Sequence, residues 1–400
     1  MISGHGDDAF RFARAIVANF SSNVYAHVDL EPLKAHLRQR IDVIGHYPEP
    51  EPSALERALA ERHGIDPAAV CVTNGATEAI YLPAHAFADR PSTILGPTFS
   101  EYFDACRMYG SERSDGGIPG RGPCAGLVEQ TRFLRVECPQ TRRVPFAPEG
   151  RPLSPESGGA ERAGRCPVKP GMTDGGKPGM TDGGKLGGMV WICNPNNPTG
   201  DVIPKERLEK AIEDNPGTVF VIDQSYGAFT REPLLSAAEA VRYPNVIQLH
   251  SMTKRYAIPG IRLGYLTANP GLTERIRAVR MPWSVNALAI EAGLYLCRHP
   301  DIAPIDLDAL LAETRRLHDA LNALPGLTTL PTQTHFFLCH LEEGRAADLK
   351  EWLAENHGIL IRDAANFEGL DEGHFRIATQ TAEENDLLVD AIRNYLEDRR

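Results

Sequence analysis

The sequence predicts an α/β protein: a large domain built on a mostly parallel sheet between helices, followed by a smaller α+β domain. Three observations carry this. Short apolar runs at 70–73, 93–95, 189–193, 219–222 and 246–249 alternate with segments of helical periodicity. Polar residues collect just after these runs, as in Asn74-Gly75-Ala76-Thr77, Asn194-Pro195-Asn196-Asn197 and Asp223-Gln224-Ser225-Tyr226, which predicts a ligand at the carboxyl edge of the sheet. The length of 400 residues allows two or three domains.

Taken in order, residues 1–45 read as an N-terminal arm that completes the small domain. Apolar residues at 30, 33, 37 and 41 give a helix over 30–41. The prolines of His46-Tyr47-Pro48-Glu49-Pro50-Glu51-Pro52 hold that stretch extended. The large domain spans 46–290. Ser53-Ala54-Leu55-Glu56 has the form of a capping box for a helix to His63. Strand Val70–Thr73 and the turn Asn74–Glu78 lead to a helix over 79–88, and strand Thr93–Leu95 leads to Phe99 and Tyr102. Between 111 and 188 glycine, proline, arginine and serine crowd the chain, and Pro-Gly-Met-Thr-Asp-Gly-Gly-Lys occurs twice in tandem. This reads as a disordered low-complexity insertion, with a strand expected near 133–136. Strands at 189–193, 219–222 and 246–249 follow, with a helix over 205–214. Beyond Pro282-Trp283-Ser284-Val285-Asn286 a long helix leads into the small domain, 291–400, whose strands include 336–338.

Composition narrows the partners. A net charge of −11 disfavours nucleic acid and anionic membrane surfaces, and no apolar run is long enough to span a bilayer. The acidic start gives no signal-peptide pattern, so a cytoplasmic protein is expected. Eight scattered cysteines without a C-x-x-C pair read as reduced thiols, and no metal is expected.

Chemistry concentrates at Ser251-Met252-Thr253-Lys254, on a loop after an apolar strand, with Arg262 eight residues beyond Lys254. Two hydroxyls and a guanidinium can hold a phosphate dianion while the amine forms a Schiff base with an aldehyde beside it. Pyridoxal 5′-phosphate carries both groups.

Asn-Pro-Thr-Gly at 197–200, Asp-x-x-Tyr at 223–226 and Ser-x-x-Lys at 251–254, with Arg376 beyond, resemble the class I/II aminotransferase family of fold-type-I pyridoxal-phosphate enzymes. The resemblance covers nearly the whole chain outside the insertion. It implies a seven-stranded-type large sheet and a homodimer with shared active sites. Lys254 would bind the cofactor aldehyde and later move protons. Asp223 would keep the pyridine nitrogen protonated, and Tyr226 and Asn197 would bind the ring oxygen. Phe99 would stack on the ring, with Tyr102 as its substitute. Ala76, Thr77, Ser251, Thr253 and Arg262 would hold the phosphate, joined by Tyr47 from the neighbouring subunit. Arg376 would pair with a substrate α-carboxylate.

Gly4-His5-Gly6-Asp7, Phe20-Ser21-Ser22-Asn23, Pro282–Asn286 and Ile361–Leu370 resemble the threonine-phosphate decarboxylases of cobalamin biosynthesis. Histidinol-phosphate aminotransferases share weaker versions of each. Both groups take an amino acid with a phosphate tail, which makes His5 and Arg362 candidates for gripping it. Asp7, Val24-Tyr25 and His335 depart from the family patterns. The resemblance thus implies a decarboxylase of L-threonine O-3-phosphate or an aminotransferase of the histidinol-phosphate type. A catalytically silent binding protein on the same fold is opposed by the intact Lys254, Asp223, Tyr226 and Asn197.

Overall fold

The structure, a computed structural model, describes residues 8–25, 27–90, 92–109, 132–134 and 188–398. Its strands in chain order are β1 (Ala18–Asn19), β2 (Val70–Thr73), β3 (Ser92–Leu95), β4 (Arg132–Leu134), β5 (Met189–Cys193), β6 (Val219–Asp223), β7 (Val246–Ser251) and β8 (Gly264–Ala268), then β9 (Leu327–Thr329), β10 (Phe336–Leu341), β11 (Ile359–Leu360), β12 (Arg362–Asp363) and β13 (His374–Ala378).

A seven-stranded sheet runs in the order β2-β8-β7-β6-β5-β3-β4. It is parallel from β7 to β4, while β8 runs antiparallel to both β2 and β7. All five residues of β5 and of β6 are buried, as a parallel strand covered by helices on both faces requires. One face packs Ile80, Phe87, Trp191 and Leu266 with their neighbours, and the other packs Leu208, Ile212, Phe220 and Ile222. Because β2, β3, β5, β6 and β7 all point the same way, the polar segments that follow them converge on one edge.

A second sheet, β12-β13-β10-β9, is antiparallel. Its core holds Phe337, Phe375, Ile377 and Leu388, and Phe20 from the arm is fully buried in it. The arm enters this layer through β1, which pairs parallel with β11. The backbone N–H of Ala378 then donates to the carbonyl of Phe20 at 3.0 Å, so the arm is tied to β13 as well.

Several expectations are met: helices at Glu31–Gln39, Ser53–His63 and Lys205–Asp214, and a strand, β4, pairing with β3 where 133–136 was expected. The rest of the insertion lies outside the described residues, as does His5. Others are corrected. Ser53 is the first helical residue and not a cap, because its N–H and Oγ both reach the carbonyl of Glu51. Glu56 is buried instead, accepting from the N–H of Val72 and from Arg277 and Arg280. The helix expected at 79–88 begins at Gly75, since the Glu78 carboxylate binds the Asn74 N–H and closes a turn around 75–78. The helix after Asn286 stops at Arg298, because Pro300 and Pro304 cannot continue it; a separate helix spans Leu307–Asn322. Lys254 sits in a four-residue helix, Met252–Arg255, and not on an open loop.

Candidate functional site

A cleft of about 270 Å³ opens at the carboxyl edge of the large sheet, just below the ~300–1,000 Å³ usual for small-molecule sites. It brings together Ala76, Thr77, Phe99, Asn197, Asp223, Tyr226, Ser251, Thr253, Lys254, Arg262, Arg362 and Arg376. These come from separate stretches of the chain, and each arrives at a strand end or on the small sheet. Tyr47 does not join them. It is 89% exposed and its ring lies 5.9 Å from that of Trp283.

Asp223 ends β6, flanked in register by Cys193 and Leu249. Its Oδ1 accepts from the Ser225 N–H at 2.8 Å and its Oδ2 from the Tyr102 hydroxyl at 2.9 Å. Burial raises its pKa, against the opposing pull of those bonds and of the Lys254 charge. A carboxylate so placed favours a cationic partner in the cleft, which a protonated pyridine nitrogen supplies. Tyr102, the expected substitute for Phe99 in stacking, also lines the cleft, and its hydroxyl is engaged by Asp223. Tyr102 is stacked on Trp191 at 5.9 Å and positions Asp223. Phe99 stays half-buried at the cleft, edge-on to Tyr102.

At one end the first turn of the helix Gly75–Ala86 presents Ala76 and Thr77. Ser251 Oγ and Thr253 Oγ1 lie 2.8 Å apart beside it, and Arg262 completes the cup with its backbone in the left-handed region, φ 58°. A Cβ on Gly75 would stand 2.6 Å from Arg262 Nη2, and one on Gly264 would stand 2.6 Å from the Ala76 nitrogen. Hydrogen at these two positions lets the guanidinium and β8 close on the helix end. Backbone N–H groups, hydroxyls and a guanidinium in one cup are a donor set for a phosphate dianion.

At the other end, Arg376 Nη1 donates to Asn197 Oδ1 and Nη2 to the carbonyl of Ser21. Because a guanidinium only donates, this bond turns the Asn197 NH2 outward as a donor. Burial lowers the Arg376 pKa to about 9, the Tyr226 side chain favouring and Arg362 further disfavouring its charge. Burial also raises the Tyr226 hydroxyl, which stays a neutral donor. Arg376 Nε, Asn23 Nδ2 and His335 Nδ1 are buried without a hydrogen-bond partner. Arg376 Nε and Asn23 Nδ2 are unpaired donors on residues that line the cleft, the mark of a site shaped for a polar ligand, while the neutral His335 leaves Nδ1 as an acceptor. The residues thus fit pyridoxal phosphate: a phosphate cup, a buried carboxylate and a lysine between them.

Sequence reasoning missed Ser21 to Val24 as cleft lining, and it missed His335. That histidine packs on Phe229 at 4.0 Å, its Nε2 3.3 Å from the carbonyl of Asn23. Its departure from the family pattern was the available signal.

The family profile described as "Aminotransferase class I and II" matches residues 15–115 and 182–392. A threonine-phosphate decarboxylase of Salmonella typhimurium is 29% identical over 94% of this chain and 91% of its own. A histidinol-phosphate aminotransferase of Caldanaerobacter subterraneus is 28% identical over 88% of this chain and 84% of its own. The crystal structure of L-threonine-O-3-phosphate decarboxylase from Porphyromonas gingivalis superposes with a TM-score of 0.77 at 34% identity, covering 95% of this chain and 100% of that one.

Two outcomes follow from this geometry. Tyr102→Phe keeps the ring but strips Asp223 Oδ2 of its donor, a loss of about 1.5–3 kcal/mol for a bond to a charged group. Pyridoxal phosphate should dissociate at least about ten-fold more readily in a spectroscopic titration; unchanged affinity would remove Tyr102 from the site. Burial holds His335 down to about 3, whereas the unfolded chain protonates it near the ordinary 6.5. Its contribution is complete above pH 6.5 and is lost as pH falls toward 3, at about 1.4 kcal/mol per pH unit. His335→Asn should flatten the acid limb of a urea-unfolding profile, and parallel limbs would contradict a neutral buried imidazole.

Proposed function

Because this chain belongs to the class I and II aminotransferase family, we propose that it acts on a phosphorylated amino acid, and that the reaction is decarboxylation of L-threonine O-3-phosphate. Family members are pyridoxal-phosphate enzymes, and this chain is one. The substrate class rests on one observation. Arg362 on β12 and Arg376 on β13 stand directly opposite in the ladder, only 6% and 4% exposed, and both line the cleft. Like charges in that arrangement repel, and burial deprives them of water. A substrate that brings two anionic groups, a carboxylate and a phosphate, relieves both. The names of the Salmonella and Porphyromonas relatives support threonine phosphate as that substrate.

The cofactor, when bound, supplies an electron sink that weakens whichever Cα bond stands perpendicular to its ring. Which bond that is depends on how the chain holds the substrate. Arg376 takes one anionic end through its fork and Arg362 takes the other, so together they fix rotation about Cα. With the carboxylate turned perpendicular, CO2 leaves and the Lys254 ammonium returns a proton to Cα, giving aminopropanol phosphate. With Cα–H perpendicular, the Lys254 amine removes that proton and transamination begins. The arm and residues 291–400 act in this reading as one unit, presenting both arginines to the large domain.

The enzyme is read as a cytoplasmic homodimer. Tyr47, Ile44, Met281 and Trp283 are exposed to 89, 65, 74 and 49%, an apolar group suited to a second copy with Tyr47 reaching its cofactor phosphate. Free cysteines at 71, 106, 193, 297 and 339 favour a reducing compartment. No described helix is long and apolar enough to cross a membrane.

Single-turnover mass spectrometry of the holoenzyme with L-threonine O-3-phosphate tests the reaction. Aminopropanol phosphate with pyridoxal phosphate retained is expected; pyridoxamine phosphate with a keto acid would make the enzyme an aminotransferase. Arg362→Ala should raise KM for the phosphorylated substrate by about ten-fold or more while that for unphosphorylated threonine changes little. Equal effects on both would detach Arg362 from the phosphate.

A further inference from the structure

Among the described residues, one cluster with metal-binding chemistry lies apart from the cleft lining. His340 on β10 and His374 on β13 are opposite each other in the antiparallel ladder, ring centroids 4.4 Å apart. Asp371, in the turn before β13, places Oδ1 3.1 Å from His340 Nε2 and 2.7 Å from His374 Nδ1. One potential ligand atom from each residue lies within 4.8 Å of the other two. Ligand atoms around a tetrahedral ion with bonds of ~2.0–2.2 Å stand about 3.3–3.6 Å apart, so small side-chain movements bring these three onto one ion.

The backbone supports this grouping. Asp371 Oδ1 also accepts from the Gly373 N–H at 3.0 Å, which fixes the carboxylate over the turn. A Cβ on Gly373 would stand 2.9 Å from His340 Nε2, so a glycine there is what lets the imidazole lie down on the turn. His374 Nδ1 meets two demands at once. The Asp371 N–H, 3.3 Å away, needs its lone pair, while the carboxylate at 2.7 Å needs a proton on it. A cation bound by the lone pair and the carboxylate together supplies the positive charge that the short 2.7 Å contact calls for, in exchange for the longer 3.3 Å bond from the Asp371 N–H. The side chains of His340 and Asp371 are 32% and 62% exposed, so a hydrated ion can enter and keep water in its remaining positions.

We propose that His340, Asp371 and His374 form a site for a divalent first-row transition cation of the Zn2+ type, with two imidazoles and one carboxylate as protein ligands. That donor set suits zinc and its neighbours better than magnesium or calcium, which call for oxygen. The ion would clip the turn at 371 to both strands of the β10–β13 pair. β13 also carries Arg376, two residues beyond His374.

The test uses tag-free holoenzyme stripped of metal, then dialysed against Zn2+ with the metal counted by mass spectrometry. One Zn2+ per chain at micromolar free metal is expected, and His340→Asn and Asp371→Asn should each weaken it at least about ten-fold. X-ray absorption on the Zn2+-loaded protein should show two imidazole ligands. Asp371 is exposed enough for its variant to fold, which retention of the cofactor's absorbance checks. Absence of stoichiometric binding, or binding equal in wild type and both variants, would overturn the site.

Discussion

The arrangement of buried charge around the cleft is the constraint on which the rest of the structure depends. Asp223 sits at the sheet edge with almost no access to water, and Arg376 and Arg362, equally buried, line the same cleft from the small sheet. Charges out of water are costly unless paired or hydrogen-bonded. The chain spends much of its local structure on meeting that need. Tyr102 and the Ser225 N–H hold Asp223, and Asn197 and the Ser21 carbonyl hold Arg376. What they leave over, such as the unpaired Arg376 Nε, is suited to a bound anion. The arm follows from the same requirement: it must reach β13 for Ser21 to meet the guanidinium, and β1 and the buried Phe20 anchor it there.

The large sheet supplies the registration. Cys193, Asp223 and Leu249 are level across β5, β6 and β7, so the loops that follow start from a common edge. Lys254 lies only five residues beyond Leu249, on a short helix that returns it to the cleft, its Nζ 6.0 Å from the centre of the Tyr226 ring. Gly75 and Gly264 then let the phosphate cup close without backbone collision. Ser251, Thr253 and Lys254 therefore follow from the same strand, β7, which limits how far the two hydroxyls and the amine can move apart.

Much of this is legible in the sequence because it is local. Asn197, Asp223, Tyr226 and Lys254 stand in short motifs at the ends of apolar runs, and those runs became strands close to where their patterns place them. What could not be read is what the fold makes by bringing distant residues together. Tyr102 reaches Asp223 across 121 positions, and no spacing announces it. His340 and His374 become neighbours only through strand pairing, so a search for metal ligands by spacing passes over them. The reverse error occurs at Ser53 and Glu56. Their spacing matches a capping box, but Arg277 and Arg280 take the glutamate into a buried ion-pair group and tertiary contact overrides the local pattern.

The central claim is that Lys254 would be the residue that binds the cofactor. Reduction of the holoenzyme with borohydride, followed by proteolysis and peptide mass spectrometry, reads that bond by its position in the chain. The account predicts a phosphopyridoxyl mass on the peptide containing Lys254, absent from Lys254→Ala. The same mass on a different lysine, or none on the Lys254 peptide of a reduced, fully loaded protein, would contradict it.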